Sequence, residues 1–498
     1  MKRAIALIPV VIGLGGLTAC GSLAPADGGA KPPMREDFRV VTPAASAASA
    51  LAPIAAATGA SAPASSSSAS SLAASTSTSA STATADAANE WYGFFADERI
   101  DRVVAIALDQ SRSLRASTAA VARVRAQYRI AESDRLPQLS AGVSATRQRT
   151  ATSGAATTYA ANLGLAAYEI DLFDRLGSLE GAALSRFLAE EENQRSARLS
   201  LVAEVTNAWL TLAAERQRLL LAEQLRDSQR RTLDLTERQY QLGATSGLDR
   251  ARARTAFESA RGDAARSAGA VEQARLRLEL LAGQPLPDAL LPTGQDTRAA
   301  TALPELPGGL PADVLLRRPD LRAAEQRLRA ASFDVGAARA ARFPRLTLTA
   351  SAGTRSSDLD ELFKSGSGVW SLMPSIDLPI FDGGARKARV EVSEATRQEA
   401  IAGYELALQS AFREVADALA VRDRLAERLD AQQAQVAAAE QTLRLAEQSY
   451  RLGSISQLEL LDAQRQLAAA RQQLVTLRQT EQANRVELMR VLGGRWQG

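Results

Sequence analysis

"SYRLGSISQLELLDAQRQLAAARQQLVTLRQTEQANRVELMRVLGG", Ser449 to Gly494, has an earlier copy in the same chain: "RQYQLGATSGLDRARARTAFESARGDAARSAGAVEQARLRLELLAG", Arg238 to Gly283. At a constant offset of 210 residues Tyr240 matches Tyr450, Leu242 matches Leu452 and Gly243 matches Gly453. The register runs on through Ser246/Ser456, Leu248/Leu458 and Gly283/Gly493 without a gap. A repeat this long is a duplicated half-domain rather than a solenoid unit. Each copy reads as helix, tight turn, helix. Gly243 and Gly453 fall where a helix must stop, because glycine takes left-handed backbone angles at little cost. Ser246 and Ser456 then suit the N-cap of the returning helix. In the second copy Leu460, Leu467 and Leu474 recur by sevens beside Leu461, Ala468 and Val475, a coiled-coil seam. The helix before that turn, from about Arg386 to Leu452, is longer still, and periodic helices of this length point to a coiled coil or a membrane span. The frequent Arg, Glu and Gln exclude a hydrocarbon span.

Composition narrows the class. The chain has 498 residues, 46% hydrophobic but only 4% aromatic, which suits thin Ala/Leu helix packing. Its 59 basic and 56 acidic residues leave a net charge of +3, without the basic excess of a nucleic-acid binder. There is no His and a single Cys, Cys20, so disulfides and Cys/His metal sites are excluded. With no Gly-rich phosphate loop either, nothing supports acid–base, nucleophilic or phosphoryl chemistry, and no cofactor is called for.

From the N-terminus, residues 1–19 read as a leader: Lys2 and Arg3, the apolar run Ala4 to Leu17, then small residues. It ends in Leu17-Thr18-Ala19-Cys20, which resembles a bacterial lipobox, with Cys20 lipidated and outer-membrane sorting implied by Gly21. Residues 20–88 form a lipidated N-terminus and a linker; from Ala44 to Ala88 it is almost wholly Ala, Ser, Thr, Pro and Gly, too poor in apolar surface to offset its ordering entropy. The first half, 89–284, holds a helical stretch to about Ser133. A strand with Leu139, Ala141, Val143 and Ala145 on one face follows, then a second over Thr157–Phe173 and a long helix Arg175–Leu242. Residues 285–318 carry six prolines and connect the halves. The second half, 319–494, repeats the order: a helix opened by Pro319 and Asp320, a strand within Arg342–Gly353, a fourth strand over Val369–Gly384, and the long helices. Residues 495–498 are a tail.

Strands of 10–12 residues with dyad alternation have the length and pattern of outer-membrane barrel strands. Open sheet edges are not tolerated in lipid. Four strands cannot close a barrel, since the smallest bacterial ones have about eight. Copies must therefore pool strands, and a dimer would give eight and a trimer twelve. Strand pattern alone leaves that choice open.

Four further stretches carry a resemblance. "AAYEIDLFDRLGSL" (Ala166–Leu179), "LLRRPDLRAAEQRLRAASFDVGAARAARFPRLTLTASAG" (Leu315–Gly353), "PIFDGGARKAR" (Pro379–Arg389) and "YRLGSISQLELLDAQRQL" (Tyr450–Leu467) resemble TolC-type outer-membrane efflux lipoproteins, the outer channels of resistance-nodulation-division tripartite pumps. The resemblance implies an α+β membrane protein: a homotrimer with a twelve-stranded β-barrel continuous with a long antiparallel helical tunnel in the periplasm. It implies a periplasmic adaptor protein and, through it, an inner-membrane pump as partners, with outer-membrane lipid around the barrel. The turns at Leu242, Gly243, Ser246 and at Leu452, Gly453, Ser456 match the family's adaptor-contacting tips. Asp249 and Glu459, six residues past the tip glycines, match aperture acids; Asp462 matches a further acid and Tyr450 an aperture tyrosine. Ile455 stands where some members carry a gate arginine, so that bond is absent. Three copies of the acids would form carboxylate rings, which favour cations in a narrow pore. The competing reading makes Asp249 and Glu459 ordinary first-turn acids and Asp462 a solvated position.

Two other functions fit parts of the chain. One is an outer-membrane conduit for type I-like protein secretion, which shares the fold. The other is a purely structural periplasmic lipoprotein, which predicts no sheet and no conductance. Metal export is weakly disfavoured, since four Met and no His offer little to soft ions, although a passive conduit need not bind its cargo.

Overall fold

The computed structural model describes residues 23–25, 94–150, 154–294 and 312–494. The leader, Cys20, the 44–88 tract, part of the Pro-rich connection and the tail lie outside the described residues. In chain order the elements are α1 (Glu98–Gln110), α2 (Arg112–Ser133), β1 (Leu139–Thr150), β2 (Gly154–Ile170), α3 (Arg175–Gln241) and α4 (Gly247–Ala282). After the connection come α5 (Pro319–Ala340), β3 (Arg345–Ser356), β4 (Gly368–Asp377), α6 (Ala385–Arg451) and α7 (Gln457–Val491). The order helix, strand, strand, long helix, turn, long helix therefore occurs twice. The chain forms two compact units, and α3 and α6 contribute to both.

One unit comprises Met1–Pro33, Ala116–Ser196 and Pro319–Gln409. Its sheet is antiparallel throughout, in the order β1-β2-β3-β4. The halves join at β2·β3, where Ile170 faces Leu346 and Leu163 faces Ala352. Leu139 and Val143 on β1, and Trp370, Leu372 and Ile376 on β4, are exposed. A sheet that leaves such apolar side chains outward is built to be covered by something other than its own chain. The elements depart from the sequence reading in three places. β2 has the expected 17 residues but lies three positions earlier, because its start is set by gap-free pairing with β1 down to Thr150 opposite Gly154; a bulge follows between Leu165 and Tyr168, with Ala167 at φ 46°. β4 stops at Asp377, before Pro379, which has no N–H for a ladder. The first helical stretch breaks at Ser111 into α1 and α2. There the backbone of Gln110 and Ser111 packs against Gly283, so closely that a Cβ at 283 would lie 2.5 Å from the Gln110 carbonyl oxygen.

The other unit comprises Met34–Arg115, Ala197–Arg318 and Ser410–Gly498. Its core gathers Ile100, Val103 and Val104 of α1 with Val205, Trp209 and Leu212 of α3, Leu278 of α4 and Met489 of α7. Trp209 is fully buried and its indole N–H donates to the Leu290 carbonyl at 3.1 Å, so its polar tip is satisfied. Arg318, also buried, donates to the Val491 carbonyl and to Glu414, which Arg490 shares. That ties the end of the connection to the end of α7. Glu487 and Glu414 together hold the Arg490 guanidinium well above its ordinary range. Of the seven-residue seam Leu460, Leu461, Leu467 and Val475 are buried and Ala468 and Leu474 half-buried.

Candidate functional site

The two helix turns have one backbone. At the first, Ala244 N–H donates to the Gln239 carbonyl at 2.8 Å and Gly243 N–H to the Tyr240 carbonyl at 3.0 Å. At the second, Ser454 N–H donates to Ser449 at 2.9 Å and Gly453 N–H to Tyr450 at 3.0 Å. This paired bonding closes a helix around a left-handed residue, and both glycines have φ 73°. Ser246 and Ser456 then take extended backbone angles and accept from the N–H three residues on, Asp249 at 3.1 Å and Glu459 at 3.3 Å. Leu242 and Leu452 stand 83% and 84% exposed at the apices.

The acids are locally engaged. Glu459 completes a capping box by accepting from Ser456 N–H at 3.2 Å. Asp249 accepts from the Ser246 hydroxyl at 2.7 Å and lies 3.6 Å from Arg252. Asp462 accepts from Arg465 at 2.8 Å and Gln466 at 2.7 Å. The structure brings Asp249 of α4 and Tyr450 of α6 into one electrostatic neighbourhood, although they are 201 positions apart in the chain. Burial raises the Tyr450 phenol above its ordinary value, and the Asp249 charge raises it further. A groove of about 670 Å³ lies beside the second turn, bordered by Leu445, Ser449, Ile455, Leu458, Asp462 and Gln466.

Two features escaped the sequence reading. At the first turn Arg250 lays its guanidinium 4.9 Å from the centre of the Tyr240 ring and donates to Glu237 at 2.8 Å. At the offset of 210, Arg250 corresponds to Leu460, so comparing the copies residue by residue could have flagged it. The second feature is a polar ladder inside the α3–α7 seam. Gln229 donates to Gln464 at 2.9 Å, and Gln457 donates to Thr236 at 2.8 Å, all four buried. The Gln229 and Gln457 side-chain carbonyls have no partner. Each helix places its two polar residues seven apart, which a count of apolar positions alone passes over. Among the described residues no cluster of His, Cys, Asp and Glu could hold a metal ion.

Paired helical hairpins with capped turns, together with an antiparallel sheet whose apolar side chains face outward, define what to compare. Residues 103–284 and 310–494 match the family described as outer membrane efflux protein. The probable efflux pump outer membrane protein TtgC of Pseudomonas putida is 40% identical over 420 residues, covering 83% of this chain and 86% of that protein. This chain belongs to the outer membrane efflux protein family. The cation efflux system protein CusC of Escherichia coli O157:H7 is 36% identical over 410 residues, 82% of this chain and 88% of CusC. Among solved structures, the open state of the Neisseria gonorrhoeae MtrE outer membrane channel superposes with a TM-score of 0.75 at 38% identity, covering 81% of this chain and 91% of MtrE. The chain is accordingly an outer-membrane efflux channel protein and not an enzyme. Its four strands are its share of a β-barrel and its long helices its share of a helical tunnel.

Proposed function

We propose that three copies of this chain close a twelve-stranded barrel and a helical tunnel, forming the passive outer conduit of a tripartite efflux pump for small molecules. The observation that carries this is the sheet. Four antiparallel strands with exposed Val143, Trp370, Leu372 and Ile376 need further strands before they can sit in lipid. A closed cyclic ring supplies them. The exposed Leu242 and Leu452, with Gly243, Ser246, Gly453 and Ser456, form the surface for a periplasmic adaptor, through which the inner-membrane pump is reached. Relatives named for a probable efflux pump and for cation efflux share this fold. Cargo choice therefore belongs to the partners.

Asp249, Glu459, Asp462 and Tyr450 form the aperture. Their local bonds do not conflict with that role, since they hold the acids in the first two turns of the helices that leave the tips. Lipidated Cys20 anchors the chain in the outer membrane. What supports this is the Leu17-Thr18-Ala19-Cys20 lipobox pattern; past it, Ala24 seats against α5, its backbone nitrogen 2.9 Å from where a Cβ at Gly336 would lie. Ala24, four residues after Cys20, thus packs on the strand-bearing unit.

Single-channel conductance in planar bilayers tests the reading. Asp249→Asn/Glu459→Gln/Asp462→Asn keeps acceptors for the caps but removes the charges. Wild type is expected to pass a cation-selective current, and the variant to lose most of the cation preference, because rings of carboxylates are what favour cations in a narrow pore. Unchanged selectivity would remove the gate assignment and keep the channel. Absence of current together with a monomeric protein in detergent would overturn the conduit.

A further inference from the structure

The junction between sheet and helices holds a contact that the duplication leaves half made. In the first half the chain leaves β2 through Asp171, Leu172 and Phe173 and enters α3 at Arg175. Phe173 stacks on Phe343, two residues before β3, with ring centroids 4.6 Å apart and planes at 17°. Beside it Glu169 accepts from Arg175 at 2.6 Å and from Arg345 at 2.5 Å. Both contacts run from the first half to the start of a strand in the second, or close the turn into α3. They belong to the same half-to-half boundary as the β2·β3 ladder, where Ile170 faces Leu346.

The second half repeats the donor side of this boundary and the first half repeats the acceptor side. "EIDLFD", 169–174, corresponds to "SIDLPIFD", 375–382, with Phe381 in the place of Phe173. "RFPRL", 342–346, corresponds to "RLPQL", 135–139, with Leu136 in the place of Phe343. Among the described residues of one chain nothing covers the repeated pair. Phe381 is 91% exposed and Ile380 94%, and Leu136 is 62% exposed. The strands that would accompany them, β4 and β1, are the outer strands of the sheet.

We propose that Phe381, on the strap of residues 378–382, seats on Leu136 of a second copy of this chain, with Ile376 paired opposite Leu139 of that copy. The proposal rests on the closed-ring reading above and adds to it the side chains and the strand register of the junction. The internal boundary supplies the template, and a head-to-tail contact of this kind repeats around a ring until it closes. One property differs from the template. Glu169 and Arg345 correspond to Ser375 and Gln138, so the junction between copies has no ion pair where the internal one does. It holds by apolar burial and strand bonding, and salt has little to screen.

Disulfide trapping in outer-membrane vesicles from cells expressing the full chain tests the register, because Cys20 is the sole native cysteine. Residues directly opposite in an antiparallel pair bring their Cα atoms within disulfide range, and a three-residue shift does not. Ile376→Cys/Leu139→Cys is expected to give covalent dimers and trimers on denaturing gels, at least tenfold above Ile376→Cys/Gly142→Cys. Phe381→Cys/Leu136→Cys is expected to do the same. Equal yields from matched and shifted pairs, or more from the shifted pair, would overturn the proposal. Light scattering of the uncrosslinked protein separates the two levels: three copies without matched crosslinks would sink the clasp and leave the ring, and a monomer would sink both. As an independent reading, Phe381→Ala should lower the temperature at which the oligomer dissociates, and Phe381→Leu should restore most of the loss. No difference between these two variants and wild type would also overturn the clasp.

Discussion

The two turns share glycine, serine and backbone geometry, yet different side chains hold them. The first is fastened by polar groups: Arg250 on the Tyr240 ring and Glu237, and the Ser246 hydroxyl on Asp249. The second has a full capping box at Ser456/Glu459, and the position matching Arg250 is the buried Leu460. Its tyrosine, Tyr450, is within reach of the Asp249 charge on the other hairpin. Duplication copied the fold of the turn, which the backbone dictates, and left the side chains free to diverge. Both turns are capped from within, and the first adds a cation–ring contact and an ion pair where the second has a buried leucine.

This contrast is open to direct challenge. Leu460→Ala should destabilise the protein by about 2–5 kcal/mol, the usual cost of truncating a buried leucine. Arg250→Ala at the matching position should cost no more than about 1 kcal/mol, since its ion pair is partly exposed. Denaturant unfolding of both variants checks this, and equal losses would erase the distinction. The ladder tests the same idea further along the hairpins. Its residues Gln229 and Thr236 correspond in the other half to Ala439 and Ala446, so the polar seam belongs to one hairpin pairing alone. Gln229→Leu should cost about 1–3 kcal/mol by stranding Gln464, whereas Gln229→Leu/Gln464→Leu should recover most of that loss. A double variant as unstable as the single would show that shape, not pairing, governs the seam.

The smallest expected effect is on the phenol of Tyr450. Its folded-state pKa is raised by burial and by Asp249, so the folded protein keeps that proton at pH values where the unfolded chain releases it. The resulting stability is present below the unfolded phenol pKa, about 10, and is lost as pH rises through the folded value. Asp249→Asn should bring the Tyr450 titration, followed by tyrosinate absorbance against a Tyr450→Phe reference, part of the way back down. An unmoved titration would separate Tyr450 from Asp249.

Much of this was legible because local rules and tertiary demands agree. The spacing of Leu460, Leu461 and Leu467 marked the seam, and Gly243/Ser246 and Gly453/Ser456 marked where one helix stops and the next starts. The alternation in Leu346, Leu348 and Ala350 marked a strand. The ends of elements were less legible. The break at Ser111, where Gly283 packs close, and the bulge inside β2 have no periodic signature. Arg250 and the glutamine ladder were invisible to a search for apolar repeats, since each gains its meaning from a residue on another helix.

The sequence by itself determined the duplication, the helical hairpins, their caps and the strand pattern, because each depends on residues close along the chain. Only the tertiary structure decided which of the matched positions are wired alike. Leu460 is buried where Arg250 bridges, and Phe173 is stacked where Phe381 stands free. Those outcomes depend on what a side chain meets across helices and strands, and among the described residues Phe381 stays 91% exposed.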